Sequence, residues 1–342
     1  MLTVTELTTE LVRINSVSPK SKAHTGGSDE KAMARRLAEY FTANRWSVEL
    51  QPVVNDRPNL IARCPGFDPD RPTLALEAHM DTVDVQGMTV PPFDAIIRDG
   101  CIWGRGSCDV KGTLAAMITA AMSWCKKNPP GGINIIVVAS MGEEMGTLGA
   151  QAFTRLGLPL QAVVIGEPTS LQPVISHKGL WRLAIETVGR ACHSSRPEEG
   201  VNAIERMHDV ITLISEKLKP AFEAEPGNTL SMTTLHSGAM LNLIPDLCRL
   251  EIDARFLPAT DIEPHWRSWN TLLPAPVRLE EMERKPAFSA VPDSQLLSLL
   301  SAALQQHGLT PAAKHERYYS DAGHFSESGY DAVIWGAGDI RL

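Results

Sequence analysis

The sequence predicts an α/β fold: a mostly parallel, helix-covered sheet that carries an inserted α+β domain of ferredoxin-like order. Short apolar runs alternate with helical periodicity over about 130 residues, a pattern that implies parallel strands covered by helices. Several of these runs end in acidic or imidazole side chains, at the strand end where open α/β sheets bind ligands. Beyond Leu171 the pattern changes to half-exposed strands in the order β-α-β-β-α-β, that of a ferredoxin-like unit.

Residues 4–13 read as a short helix, and Asp29–Arg45 as a longer one with Met33, Leu37 and Phe41 on one face. Gly26-Gly27-Ser28 in front supplies a break and an N-cap candidate. Trp46–Val53 and Asn59–Cys64 read as strands parted by the polar turn Asn55-Asp56-Arg57-Pro58. Leu74–Ala78 is a buried strand leading into His79-Met80-Asp81, and alternation places His79 and Asp81 on one face. A long loop rich in Pro and Gly runs on to Asp109, and loops of that length usually build a site. Lys111–Lys127 follows as a helix, Ile133–Ala139 as a strand, Thr147–Leu156 as a helix, and Ala162–Ile165 as a strand ending at Glu167.

In the insertion, Leu180–Val188, Leu230–His236, Leu247–Phe256 and Val277–Met282 are strands, with helices at Val201–Leu218 and Asp261–Leu273. The first style then returns, with a helix at Asp293–Gln306 and a strand at Ala332–Trp335. The expected organisation is a catalytic domain of residues 1–173 and 285–342, interrupted by residues 174–284. That insertion of about 110 residues is within the usual size of a domain.

A chain of 342 residues, 43% hydrophobic and 21% charged, is ordinary for a globular protein of roughly two domains. Its formal net charge of −8 and the lack of a basic stripe argue against a nucleic-acid partner. The N-terminus lacks the pattern of a signal peptide, and no apolar tract approaches a membrane span, so the expected location is cytoplasmic. The 6 cysteines form no C-x-x-C pair, which fits reduced thiols, and Cys108 reads as a small buried side chain rather than a metal ligand.

His79, Asp81, Asp109, Glu143, Glu144 and Glu167 are the candidates for chemistry. Each alone has an ordinary reading: His79 as a hydrogen-bonded structural residue, Asp109 as a turn and helix cap, Glu143-Glu144 as a solvated pair favoured by a helix dipole. Together they lie at ends of elements that a parallel sheet gathers, and one His with several carboxylates is a ligand set for a divalent metal.

At these residues the chain resembles the dinuclear zinc aminoacylases, the family of acetylornithine deacetylase, succinyl-diaminopimelate desuccinylase, aminoacylase and the carboxypeptidase G group. The matching segments are His79-Met-Asp-Thr-Val, Trp103-Gly-Arg-Gly-Ser-Cys-Asp-Val-Lys-Gly, Gly142-Glu-Glu-Met-Gly, Gly166-Glu-Pro-Thr-Ser, His177-Lys-Gly, His193-Ser-Ser-Arg-Pro, Gly200-Val-Asn-Ala-Ile, Asn242-Leu-Ile-Pro, Arg255-Phe-Leu-Pro and Ser320-Asp-Ala-Gly-His. They span most of the chain, and the run Gly166–Gly179 is most similar to acetylornithine deacetylases.

The resemblance implies two zinc ions per subunit, with cobalt or manganese as alternatives. His79 and Glu167 would hold one, Asp109 would bridge, and Glu144 would bind the second. Asp81 would hydrogen-bond the other nitrogen of His79 and fix its tautomer. Glu143 would be the general base that moves a proton from water to the leaving amine. His193 and Asn242 would bind the oxyanion and substrate, with His193 acting across a homodimer interface, and Arg255 would anchor the substrate carboxylate. Without the resemblance, His193 is equally a surface residue in a Ser-rich turn, and Arg255 a strand-end Arg. A cis peptide is implied between Asp109 and Val110.

The family's second metal takes a further His after a Gly-rich strand end. Gly336-Ala-Gly-Asp-Ile-Arg-Leu342 reaches that segment and stops short, so the second metal is expected to bind weakly in this chain. His324 aligns with an active-site loop instead. The implied activity is metal-dependent removal of an acyl group, in the first place acetyl, from an N-acyl amino acid, with N-acetylornithine the leading substrate. A dipeptidase, another N-acyl amino acid hydrolase, or a binding homologue lacking turnover are the alternatives.

Overall fold

The computed structural model describes residues 1–19, 30–54, 56–127 and 132–342. The expected cap at Gly26–Ser28 and residue Asn55 lie outside them. The chain divides into two compact units: Met1–Ser176 with Phe288–Glu316 and Ser320–Leu342, and His177–Ala287 with Arg317–Tyr319.

The first unit is built on a sheet with the strand order Ser47–Val54, Arg57–Arg63, Asn134–Ser140, Thr73–His79, Ala162–Ile165, Ala332–Ile334, Val174–His177 and Phe288–Ser289. The four middle strands, from Asn134–Ser140 to Ala332–Ile334, are mutually parallel, whereas the Arg57–Arg63 and Val174–His177 strands run antiparallel to their neighbours. All residues of Asn134–Ser140 are buried, because both faces of this strand are covered. Alternation splits its side chains: Ile135, Val137 and Ala139 join one core with Leu7, Leu37, Phe41, Leu114 and Ile118, while Ile136 and Val138 join the other with Phe153 and Phe325. The helices Val4–Val12, Glu30–Ala43 and Lys111–Lys127 supply the first of these apolar faces.

Most expected elements are found within a residue or two of their expected ends. Three departures bear on the site. Val174–His177 is a strand of the large sheet that the sequence reading omitted. The long loop before Asp109 contains a hairpin, Ile96–Arg98 with Cys101–Trp103. Ala322–Glu327 is a helix, and it buries His324.

In the second unit the strand order is Thr229–Ser237, Leu247–Phe256, Gly179–Val188, Val277–Lys285, all antiparallel. With strands counted along the chain this is 2-3-1-4, the ferredoxin-like arrangement. Leu247–Phe256 alternates between buried and half-exposed residues, so one face of the sheet carries the core of Trp181, Leu183, Phe222, Ile252 and Trp269. The expected helix at Val201–Leu218 is Ala203–Leu213, followed by a π-helical turn, Ile214–Leu218, and a last helical segment, Lys219–Glu223. Pro220 has no N–H for a regular helical bond, which accounts for the irregularity. Met207 and Val210 of its apolar stripe are spent on this unit's own core, and Ile204 stays exposed.

Candidate metal and catalytic centre

The centre is assembled by strand ends lying side by side. The register sets His79 opposite Ser140 and Glu77 opposite Ile165, so the carboxyl ends of three parallel strands are adjacent. His79 closes its own strand, Glu143-Glu144 follow Ser140, and Glu167 follows Ile165. Asp109 comes from the loop that enters the Lys111–Lys127 helix, and the Asp109–Val110 peptide is cis as the resemblance implied. Gly336 must be a glycine where it passes this centre: a Cβ there would lie 2.5 Å from the Glu167 carbonyl oxygen.

His79, Asp109 and Glu167 offer ligand atoms that all lie within 4.8 Å of one another. His79 Nε2 is 3.1 Å from Asp109 Oδ1. Its Nδ1 is 2.9 Å from the main-chain carbonyl of Asp81 and 3.6 Å from the Asp81 carboxylate. Of the two Asp81 oxygens, the main-chain carbonyl lies nearer the ring nitrogen and makes the shorter contact. The carboxylate accepts the backbone N–H groups of Glu143, at 3.0 Å, and Glu144, at 3.1 Å. Glu144 is not part of the three-residue group; its Oε1 accepts the Val83 N–H at 3.1 Å.

The electrostatics are those of buried acids crowded around one imidazole. Burial raises Glu143 and Glu167 well above the usual carboxylate range, with nearby acids adding to the effect and His79 opposing it. Burial likewise brings Glu144 to about 7. Burial works against a charged His79, but the nearby Asp109 and Asp81 carboxylates outweigh it and hold the imidazole well above its ordinary value. Asp109 is also opposed by burial, and the His79 bond and charge prevail and lower it. A divalent cation suits this set, since it bonds imidazole nitrogen and carboxylate oxygen and offsets their mutual repulsion.

Two residues without an assigned role in the sequence reading belong to the same network. Ser140 Oγ donates to Asp321 Oδ2 at 3.0 Å and is also bonded to Glu77, both fully buried carboxylates. Burial followed by the Asp321 charge raises Glu77 well above its usual value, and burial brings Asp321 to about 6. Glu77 was within reach of the alternation argument, being two residues before His79 on the same strand. Cys108 is half-buried, with Sγ 3.4 Å from the Asp339 carbonyl, and stands outside the ligand group.

His193, Asn242 and Arg255 are in the second unit. The short strands Cys192–His193 and Leu243–Ile244 pair, and the Ser194 N–H donates to the Asn242 carbonyl at 3.0 Å, so His193 and Asn242 are held side by side. The exposed His193 has Nδ1 2.8 Å from Ser195 Oγ. Arg255 is gripped by Asp253, Nε to Oδ1 at 2.6 Å, with its guanidinium 5.8 Å from the Tyr319 ring centre.

The model of peptidase family M20/M25/M40 matches residues 75–341. An acetylornithine deacetylase of Vibrio parahaemolyticus is 34% identical over 267 residues, 74% of this chain and 68% of that protein. One from Myxococcus xanthus is 28% identical over 333 residues, 91% of this chain and 83% of that protein. A tripeptidase structure from Staphylococcus aureus superposes with a TM-score of 0.79 at 22% identity, covering 98% of this chain and 89% of its own. At that identity the likeness speaks for the fold.

Proposed function

This chain belongs to peptidase family M20/M25/M40 and is a hydrolase, and we propose that it removes the acyl group of N-acyl amino acids, N-acetylornithine first among them, in the manner of a zinc-dependent deacetylase. The observation that carries the reading is the His79–Asp109–Glu167 group, its His79 and Glu167 buried and its Asp109 half-buried, with the Glu143 carboxyl in its company. The substrate class is supported by the relatives named acetylornithine deacetylase.

In this reading His79, Asp109 and Glu167 would hold one zinc, and Glu144 would help to hold a second, with Asp109 available to both. When bound, such ions polarise a carbonyl and lower the pKa of water. The rest is the work of the chain's own side chains. Glu143 takes the proton of the attacking water as the C–O bond forms, and returns it to the amine nitrogen as the C–N bond breaks. Asp81 fixes the Glu143 and Glu144 main chain through the two N–H bonds it accepts. His193 donates a hydrogen bond to the carbonyl oxygen as negative charge grows there, and Asn242 beside it binds substrate. Arg255, already aligned by Asp253, takes the substrate carboxylate in a bidentate pair.

The protein is proposed to work in the cytoplasm as a homodimer, with His193 serving the partner's site. Thr229–Ser237 supports this as an edge strand bearing exposed Met232 and Leu235. Zinc-loaded protein assayed on N-acetylornithine, other N-acetyl amino acids, N-succinyl amino acids and dipeptides tests the reading. The highest kcat/KM is expected for N-acetylornithine; a dipeptide turned over faster than every N-acyl amino acid would overturn it.

A further inference from the structure

Four successive backbone N–H groups leave the Asn134–Ser140 strand with no sheet partner, and each is received by a buried side chain. Met141 N–H goes to Asn59 Oδ1 at 3.0 Å, Gly142 N–H to Glu30 Oε1 at 3.0 Å, and those of Glu143 and Glu144 to Asp81. Such donors, buried away from water, need partners to avoid a large penalty. Glu30 is fully buried at the start of the Glu30–Ala43 helix, and its other oxygen is paired with Arg57 Nε. An acid in a first helical turn gains from the helix dipole while exposed, so the dipole does not account for this burial. Gly142 adopts φ +68°, and a Cβ there would meet Arg57 Nη2 at 3.4 Å, so the turn is fitted closely against the Glu30–Arg57 pair.

We propose that Glu30, aligned by Arg57, is a positioning residue for Glu143: by holding the Gly142 N–H it fixes the turn from the upstream side, as Asp81 fixes it from the downstream side. The proposal rests on the reading of Glu143 as the base. Glu30 lies far from Glu143 in sequence and acts through the main chain alone. A misplacement of about 1 Å in a reacting group can lower a rate about 100-fold, so the loss of one such tether registers in kcat.

Glu30→Asp keeps the charge for Arg57 but withdraws the acceptor by one carbon–carbon bond, roughly 1.5 Å. The test is a double-mutant cycle with Glu143→Ala on metal-loaded protein, with Gly142 amide exchange followed in the metal-free protein. We expect kcat to fall about tenfold in Glu30→Asp, with KM and metal content unchanged, and Gly142 exchange to quicken by about the same factor. In the Glu143→Ala background the same substitution should leave the residual rate unchanged, because the group it positions is gone. An equal loss in both backgrounds, or unaltered Gly142 exchange, overturns the assignment. Arg57→Gln, which frees Glu30 Oε2 without shortening Glu30, is the second variant should Glu30→Asp not fold. It should lower kcat about threefold in the parent and leave Glu143→Ala unchanged, and equal losses in both again overturn the proposal. Parental turnover by Glu143→Ala is a different failure, that of the base itself, and removes the proposal with it.

Discussion

Asp81→Ala separates two accounts of how a buried carboxylate supports the metal centre. If the Asp81 carboxylate orients His79, its loss should weaken metal binding about 10- to 100-fold, as loss of such partners does. The bond to His79 Nδ1 is instead made by the Asp81 main-chain carbonyl at 2.9 Å, which the substitution leaves in place. What Asp81→Ala does remove is the acceptor of two N–H groups, the buried one of Glu143 and the partly buried one of Glu144. Each unsatisfied donor costs about 1–3 kcal/mol, and removing one negative charge from among neighbouring acids offsets part of the sum, leaving about 2–3 kcal/mol. That corresponds to a fall in Tm of about 5–10 °C. Turnover should fall about 100-fold, because the turn carrying Glu143 loses its anchor. The assay is metal titration calorimetry on the stripped protein alongside kcat at metal saturation. Nearly parental metal affinity with a large loss of kcat is expected. Metal binding weakened 10-fold or more, with near-normal kcat at saturation, would refute the reasoning.

Glu143→Ala should lower kcat about 100-fold or more at unchanged metal content, whereas loss of metal instead would make Glu143 a ligand. Mixing inactive Glu143→Ala and His193→Ala chains should restore about a quarter of parental activity, because half the dimers are mixed and each has one intact site; no recovery despite proven subunit exchange sinks the cross-subunit role of His193. Metal-free protein should lose stability as pH rises from about 4.5 to 7, on the order of 3 kcal/mol from Glu30 alone. Burial followed by the Asp81 charge raises Glu30 to about 7, so in that window the folded state binds more protons than the unfolded chain. Lys111, lowered by burial to about 7, works in the opposite direction above that pH. Chemical denaturation from pH 5 to 9 checks both limbs, and a rise in stability between pH 5 and 7 contradicts them.

The candidate ligand positions were legible because each follows an apolar run that reads as a buried strand: His79 after Leu74–Ala78, Glu167 after Ala162–Ile165. Their convergence followed from the parallel pattern, since parallel neighbours present the same ends together. Alternation also placed Asp81 correctly near His79. Period-two reasoning fixes a face, however, and does not say whether carboxylate or carbonyl meets the ring. Glu30 and Asn59 were invisible for a related reason: each receives an N–H from more than 80 residues away in sequence, and no local pattern records which loop a side chain meets. The hairpin Ile96–Trp103 was missed because its strands are three residues each, although Asp99-Gly100, both at positive φ, is the dipeptide that tight hairpin turns favour. Val174–His177 was lost to the change of pattern near Leu171, where a short strand with Ser and His carries little periodic signal.

The most direct test of metal-dependent hydrolysis at His79, Asp109 and Glu167 is the rate of N-acetylornithine hydrolysis before chelation, after it, and after return of the metal. Stripped protein should run at about a hundredth of the parental rate or less and recover when zinc, cobalt or manganese is restored, while His79→Ala should not recover. Undiminished hydrolysis by protein shown by elemental analysis to be free of metal would contradict the assignment.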